Sequence, residues 1–143
     1  MVEMGADISF DTIFADTPVV VAWLFGSRAG GRVHARSDFD IAVLFAPETT
    51  REERARWRLE LIGRLSAAYR SDAIDLAVLN DAPPLLRYEA LRPRHVLYNR
   101  NDEERVAFEV RTMQEWFDWA PRYRRMLRAR MKQFAEGNVR LGP

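Results

Sequence analysis

The sequence predicts an α/β or α+β domain, on three observations. β-branched and aromatic runs alternate with stretches of helical spacing, no internal repeat or low-complexity segment interrupts them, and the apolar content suffices for one core. With 143 residues, 48% of them apolar, and four Trp, four Tyr and eight Phe, the chain fits one domain, and no second domain is expected.

The elements follow in order. Residues 7–16 predict a short helix ahead of Pro18. Val19 to Phe25 is a β-branched and aromatic run that ends at Gly26, the first strand. Asp38 to Phe45 reads as the second strand, stopped by Pro47. Thr49 or Thr50 can then cap a helix in which Ala55, Leu59, Ile62, Ser66 and Tyr69 mark one face. Ala73 to Leu79 is a third strand, apolar enough that both its faces read as covered. The turn Asn80 to Pro84 leads into a short helix through Leu91, and His95 to Tyr98 adds a fourth strand. Asn101 with Glu104 three residues on is a capping pair, after which Val106, Val110, Met113 and Phe117 keep helical spacing. Pro121 is expected to kink or restart that helix, with Asp118 capping a second piece that carries Leu127, Met131 and Phe134.

Composition excludes several classes. The absence of cysteine removes disulfides and thiolate metal sites, and His34 and His95 alone cannot build a histidine zinc centre. The longest apolar run, Pro18 to Phe25, is too short to span a bilayer, and the acidic start lacks the features of a signal peptide, so a soluble, cytoplasmic protein is expected. A net charge of +1 gives no global pull toward nucleic acid, although six of the eleven residues from Arg122 to Lys132 are basic. Trp116, Phe117, Trp119, Tyr123, Met126 and Met131 are more aromatic and sulfur surface than one exposed helix carries. About half are expected to pack on this domain and the rest, with Arg122, Arg124, Arg125 and Arg128, to meet a partner.

Three features carry chemistry. Gly26-Ser27 closes the first strand; Gly26 and Gly31 stand five apart as in a P-loop, but Arg32 and Val33 occupy the places of its Lys and Ser/Thr. Gly26 still lets a phosphate approach the backbone, and Ser27 offers a hydroxyl and an N–H; taken alone, such a pair is more often an ordinary turn. Asp38 and Asp40 open the second strand two residues apart, on one side and about 7 Å from each other. Solvated acids at a sheet end explain them as well as a site does. Asp75 tips the balance, because a charge inside an apolar strand is costly unless paired or bound to metal. If the second and third strands are neighbours, three carboxylates converge with no Lys or Arg in either strand, a set suited to Mg²⁺ or Mn²⁺ and substrate phosphates.

Gly26-Ser27, ten residues, Asp38-Phe39-Asp40 and a later strand with Asp75 resemble the polymerase-β-like nucleotidyltransferase superfamily. "LFGSRAGGRVHARSDFDIAVLF" is similar in particular to the minimal nucleotidyltransferase (MNT) family, and the likeness runs through "DLAVLNDAPPLLRYEALRPRHVLYNR" into the C-terminal helix. The nearest kind is the MNT antitoxin paired with a HEPN-domain RNase toxin. The resemblance implies an α+β fold, a small mixed sheet packed by helices, with residues 1–100 as catalytic core and 101–137 as a long C-terminal helical segment. It implies transfer of AMP from ATP to a tyrosine of the toxin, by two-metal in-line attack on the α-phosphate with loss of pyrophosphate. Gly26 and Ser27 would bind the nucleotide; Asp38, Asp40 and Asp75 would be catalytic and hold two Mg²⁺ ions, or Mn²⁺. The family usually reads Gly-Ser-x-Ala-Arg-Gly, and here Gly30 stands at the arginine's place, with Arg28, Arg32 or Arg36 near enough in sequence to compensate. Two other readings compete: transfer to a small hydroxylated acceptor, which generally needs more structure than this chain has, and neutralisation by binding without chemistry. Direct nucleic-acid binding is not expected, since neither net charge nor an added domain would grip a strand.

Overall fold

The computed structural model describes residues 8–26, 39–93 and 95–137. Strands β1 (Val19–Phe25), β2 (Phe39–Phe45), β3 (Ile74–Val78) and β4 (His95–Asn99) form one mixed sheet in the order β3-β2-β1-β4. β1 runs antiparallel to both β2 and β4, whereas β2 and β3 are parallel. A parallel pair needs a crossover, and helix α2 (Arg51–Tyr69) supplies it. The other described helices are α1 (Phe10–Phe14), α3 (Pro84–Leu91) and α4 (Asp102–Ala135).

Each face of the sheet buries its own cluster. Ala22, Leu24, Ile41, Val43, Phe45 and Leu76 point to one side, where Phe14 of α1 and Leu61 and Leu65 of α2 cover them. Val20, Val21, Trp23 and Ala42 point to the other, against Ala90 and Leu91 of α3 and Phe108 of α4. Polar side chains fasten the edges of this sandwich. The Asn80 amide donates to the Phe45 carbonyl and accepts from its N–H, extending β2 by one false partner. Arg54 of α2 grips Asp81 through two hydrogen bonds of 3.1 and 2.9 Å, and Arg64 grips Asp16 at 2.8 and 3.1 Å.

Three expectations are corrected. The buried face of α2 runs through Leu61 and Leu65, with Trp57, Ile62 and Tyr69 at its margins, while Leu59 is 70% exposed. Leu61 and Leu65 are four apart and stack on one side, and Leu59 lies two residues before Leu61, about 200° round the helix. Secondly, α4 runs unbroken from Asp102 to Ala135, so Pro121 neither breaks nor restarts it and Asp118 is a mid-helix residue rather than a cap. Pro121 has no N–H to donate, and the rings of Tyr88, Trp116, Trp119 and Tyr123 pack in a row beside the position, with centroids 4.7, 5.6 and 4.9 Å apart. Thirdly, β3 is an edge strand; only Leu76 in it is fully buried, and Asp75 is exposed. Ile74, Leu76 and Val78 feed the α1/α2 side, and Ala77 packs against the cluster on the other face.

The expected caps are present. Thr50 accepts from Glu53 N and Glu53 returns the bond to Thr50 N, a complete capping box, and Asn101 accepts from Glu104 N. α2 ends at Arg70 in the left-handed region, φ 53°, and Ser71 Oγ accepts from Ala73 N to turn the chain into β3.

Candidate active site

The site is built by strand register. Phe39 N donates to Ala73 O at 2.7 Å, which aligns the start of β2 with the start of β3. From there Phe39 lies beside Ile74 and Asp40 beside Asp75, while across the other edge of β2 Asp40 faces Phe25 of β1. Neighbouring strands lie about 4.8 Å apart, so the two carboxylates leave the sheet as adjacent side chains.

Their direction is set by what their neighbours bury. Phe39 is 8% exposed and its ring lies 4.2 Å from that of Tyr69 on α2; Ile74 and Leu76 pack into the same cluster. Strand side chains alternate, so Asp40 and Asp75 project from the opposite face, the one roofed by α3 and α4. That roof buries the sheet as far as Trp23 and Ala42. One row further on, Phe25 and Asp40 are half-buried and Asp75 is exposed. The acids therefore line the open end of a covered face, reachable by a ligand and fixed by a rigid floor.

Gly26 meets them from β1. Its φ is +77°, a conformation that residues with a Cβ rarely adopt. A Cβ on Gly26 would run into Asp40 Oδ2 and lie 3.0 Å from Asp40 Cγ and 3.2 Å from its Cβ. Backbone and carboxylate thus approach as closely as only glycine allows. Of the expected site residues, Gly26, Asp40 and Asp75 come together; Ser27 and Asp38, with His34, Gly30 and the neighbouring arginines, lie outside the described residues. Sequence reasoning left out one contributor: Phe25 floors the site as the cross-strand partner of Asp40. Only the strand order could reveal it.

Among the described residues no group of three or more His, Cys, Asp or Glu side chains is assembled to hold a metal ion. The donor chemistry nevertheless fits a hard cation. Two carboxylates stand in adjacent register in strands that carry no Lys or Arg, an oxygen donor set that suits a hard cation. The place a Cβ on Gly26 would take is filled by the Asp40 carboxylate itself.

A mixed sheet with a glycine at the end of its first strand and paired aspartates on the next two describes a nucleotidyltransferase, and the comparison of sequences agrees. The family described as Polymerase beta, Nucleotidyltransferase matches residues 11–103, and the chain belongs to it. Among curated relatives it is similar to the protein adenylyltransferase MntA of Aphanizomenon flos-aquae (strain 2012/KM1/D3), 33% identical over 95 residues, which are 63% of each chain. It is also similar to the protein adenylyltransferase MntA of Shewanella oneidensis, 36% identical over 91 residues, 64% of this chain and 61% of the relative. The chain thus spans somewhat under two thirds of the length of these relatives. A crystal structure of a toxin-antitoxin with AMP-PNP superposes with a TM-score of 0.66 at 27% identity, covering 85% of this chain and 95% of that one.

Proposed function

We propose that this protein is an antitoxin that transfers AMP from ATP to a tyrosine of a cognate HEPN-domain RNase toxin. The observation that carries the reading is the approach of Gly26 to the Asp40 carboxylate with Asp75 in adjacent register. The relatives named MntA adenylyltransferase, and the solved toxin-antitoxin with AMP-PNP, support the same chemistry. We further propose that residues 1–143 act as one nucleotidyltransferase domain in the cytoplasm, a core over 1–100 and a helical segment over 101–137. No helix among the described residues is long and apolar enough to cross a membrane.

In this mechanism Gly26 and Ser27 hold the triphosphate by close backbone approach and a hydroxyl. Asp38, Asp40 and Asp75 would hold Mg²⁺, which when bound neutralises phosphate charge and favours the ionised form of the attacking hydroxyl. The tyrosine oxygen attacks the α-phosphorus in line. Its bond to phosphorus forms as the bond to the bridging oxygen of the β-phosphate breaks, and pyrophosphate leaves. Asp75, exposed at the edge of the sheet, is placed to orient the phenol and accept its proton. Most of the acceleration then comes from positioning and charge stabilisation.

The test is Asp38→Asn combined with Asp40→Asn, assayed with ATP, Mg²⁺ and the co-encoded protein by intact mass. The amides keep shape and lose charge, so the variant is expected to stay folded by circular dichroism and to add no AMP. Wild-type transfer by a folded double variant would overturn the assignment. AMP appearing only on a small hydroxylated compound, with the co-encoded protein unmodified, would move the acceptor to the competing class.

A further inference from the structure

α4 is longer than the domain it serves. At about 1.5 Å per residue its 34 residues reach some 50 Å, and every residue from Arg124 to Ala135 is exposed. An isolated stretch of that length is marginal as a helix in water. Nor is it polar all round: Leu127, Met131 and Phe134 are 44, 64 and 63% exposed.

These three continue a seam. Val106, Val110, Met113, Phe117, Ala120, Arg124, Leu127, Met131 and Phe134 follow one another at alternating steps of four and three, the spacing by which one helix packs along another. The first apolar block borders an open groove of about 410 Å³ whose walls include Leu91, Val96, Val106, Val110, Met113 and Phe117. The second block, 127–134, has nothing among the described residues to cover it.

Charge identifies the occupant. Residues 102–118 of α4 carry six acids and two arginines, whereas 119–135 carry five arginines, one lysine and no acid. Helix-dipole preference explains such a bias only within the first and last turns, and here it extends through both halves. The ion pairs that α4 makes among the described residues lie in its first half, through Asp102, Arg105, Glu109 and Glu115. Parallel pairing of two copies would set cation on cation. Antiparallel pairing sets the basic half of each on the acidic half of the other.

We propose that two copies of this chain associate through α4, antiparallel about a two-fold axis, each seating its 127–134 block in the other's groove. One register pairs the apolar positions: Phe117 on the partner's Leu127, Met113 on the partner's Met131 and Val110 on the partner's Phe134. The contact is isologous, so it closes at two copies. It is independent of the nucleotidyl-transfer reading.

The chain has no cysteine, which makes a clean test possible. The double variant Met113→Cys, Met131→Cys, oxidised at low concentration, is expected to form a covalent dimer that reductant dissolves, while each single variant stays monomeric on a non-reducing gel. By sedimentation equilibrium the unmodified chain is expected at twice its 16.6 kDa mass, and Leu127→Glu with Met131→Glu at half that value with unchanged circular dichroism. A monomeric wild-type chain at every concentration reached would overturn the proposal. Crosslinking by either single variant would also overturn it, since that signals parallel pairing. So would a seam shielded only by a different, acidic helical protein that copurifies.

Discussion

At the scale of the residue, Gly26 is the most constrained position described, because its backbone angle and its contact both require a missing side chain. Gly26→Ala places a methyl at φ +77°, which costs about 1–2 kcal/mol, and pushes on the Asp40 carboxylate from the β1 side. The carboxylate must then rotate or the turn must open. A displacement of about 1 Å at reacting groups commonly costs roughly a hundredfold in rate, so Gly26→Ala is expected to keep its fold, melt a few degrees lower and lose about two orders of magnitude in nucleotidyl transfer. Steady-state transfer with a melting curve on the same sample checks this; wild-type turnover in the alanine variant would show that the close approach has no catalytic meaning. Asp75 carries a different lesson. Its apolar neighbours made burial the reason to single it out, yet it is exposed, and what distinguishes it is a position beside Asp40 that only strand pairing creates.

Among the elements, α2 separates what periodicity tells from what it does not. Leu65 is fully buried among Leu61, Ile41 and Leu76, whereas Leu59 faces solvent. Leu65→Ala is therefore expected to cost about 2–5 kcal/mol and Leu59→Ala to stay within about 0.5 kcal/mol, read as shifts in the urea midpoint at constant slope. Equal effects would mean that the helix is rotated from the face described. All four strands, the short helix from Pro84 and the caps at Thr50 and Asn101 were legible because each depends on local chemistry: β-branched runs, proline placement, side-chain oxygens reaching backbone N–H groups. The face of α2 was misjudged because five residues with tolerable spacing, Ala55 to Tyr69, competed with a narrower and deeper pair. The restart at Pro121 was misjudged because proline alone does not decide it: the helix continues through the position, where rings of α3 and α4 pack beside it. On α4, Trp116, Trp119 and Tyr123 pack ring against ring, with Trp116 also stacked on Tyr88 of α3, and Phe117, Met126 and Met131 remain exposed. At the site, Gly26, Asp40 and Asp75 could be picked from the sequence by chemistry and family likeness, while Phe25 could not, since nothing local joins it to them.

For the molecule as a whole, electrostatics tie the layers together and set its response to acid. A hydrogen bond from Arg64 holds the Asp16 carboxyl below its usual range, one from Arg54 does the same for Asp81, and those from Arg105 and Asn99 for Asp102; slight desolvation opposes each more weakly. The first two pairs clamp α2 at both ends, to the segment after α1 and to the turn after β3. A carboxyl whose folded pKa is depressed binds its proton more readily in the unfolded chain. Its stabilisation is therefore complete above the ordinary carboxylate pKa of 3.8, shrinks as pH falls from there toward the folded value, and vanishes below both. Unfolding free energy is thus expected to be flat with respect to these three groups near neutrality and to decline below about pH 4 to 5. Asp81 is the best probe, because its side chain is 32% exposed and its partner only 14%. Asp81→Asn should lower stability near pH 7 by about 1 kcal/mol or less, given solvent screening, and the gap to wild type should close as acid protonates the native aspartate. Urea denaturation of both proteins at several pH values from neutral into acid reads this directly. A gap that stays constant, or widens, as pH falls would show that Asp81 acts through shape and not through its charge on Arg54.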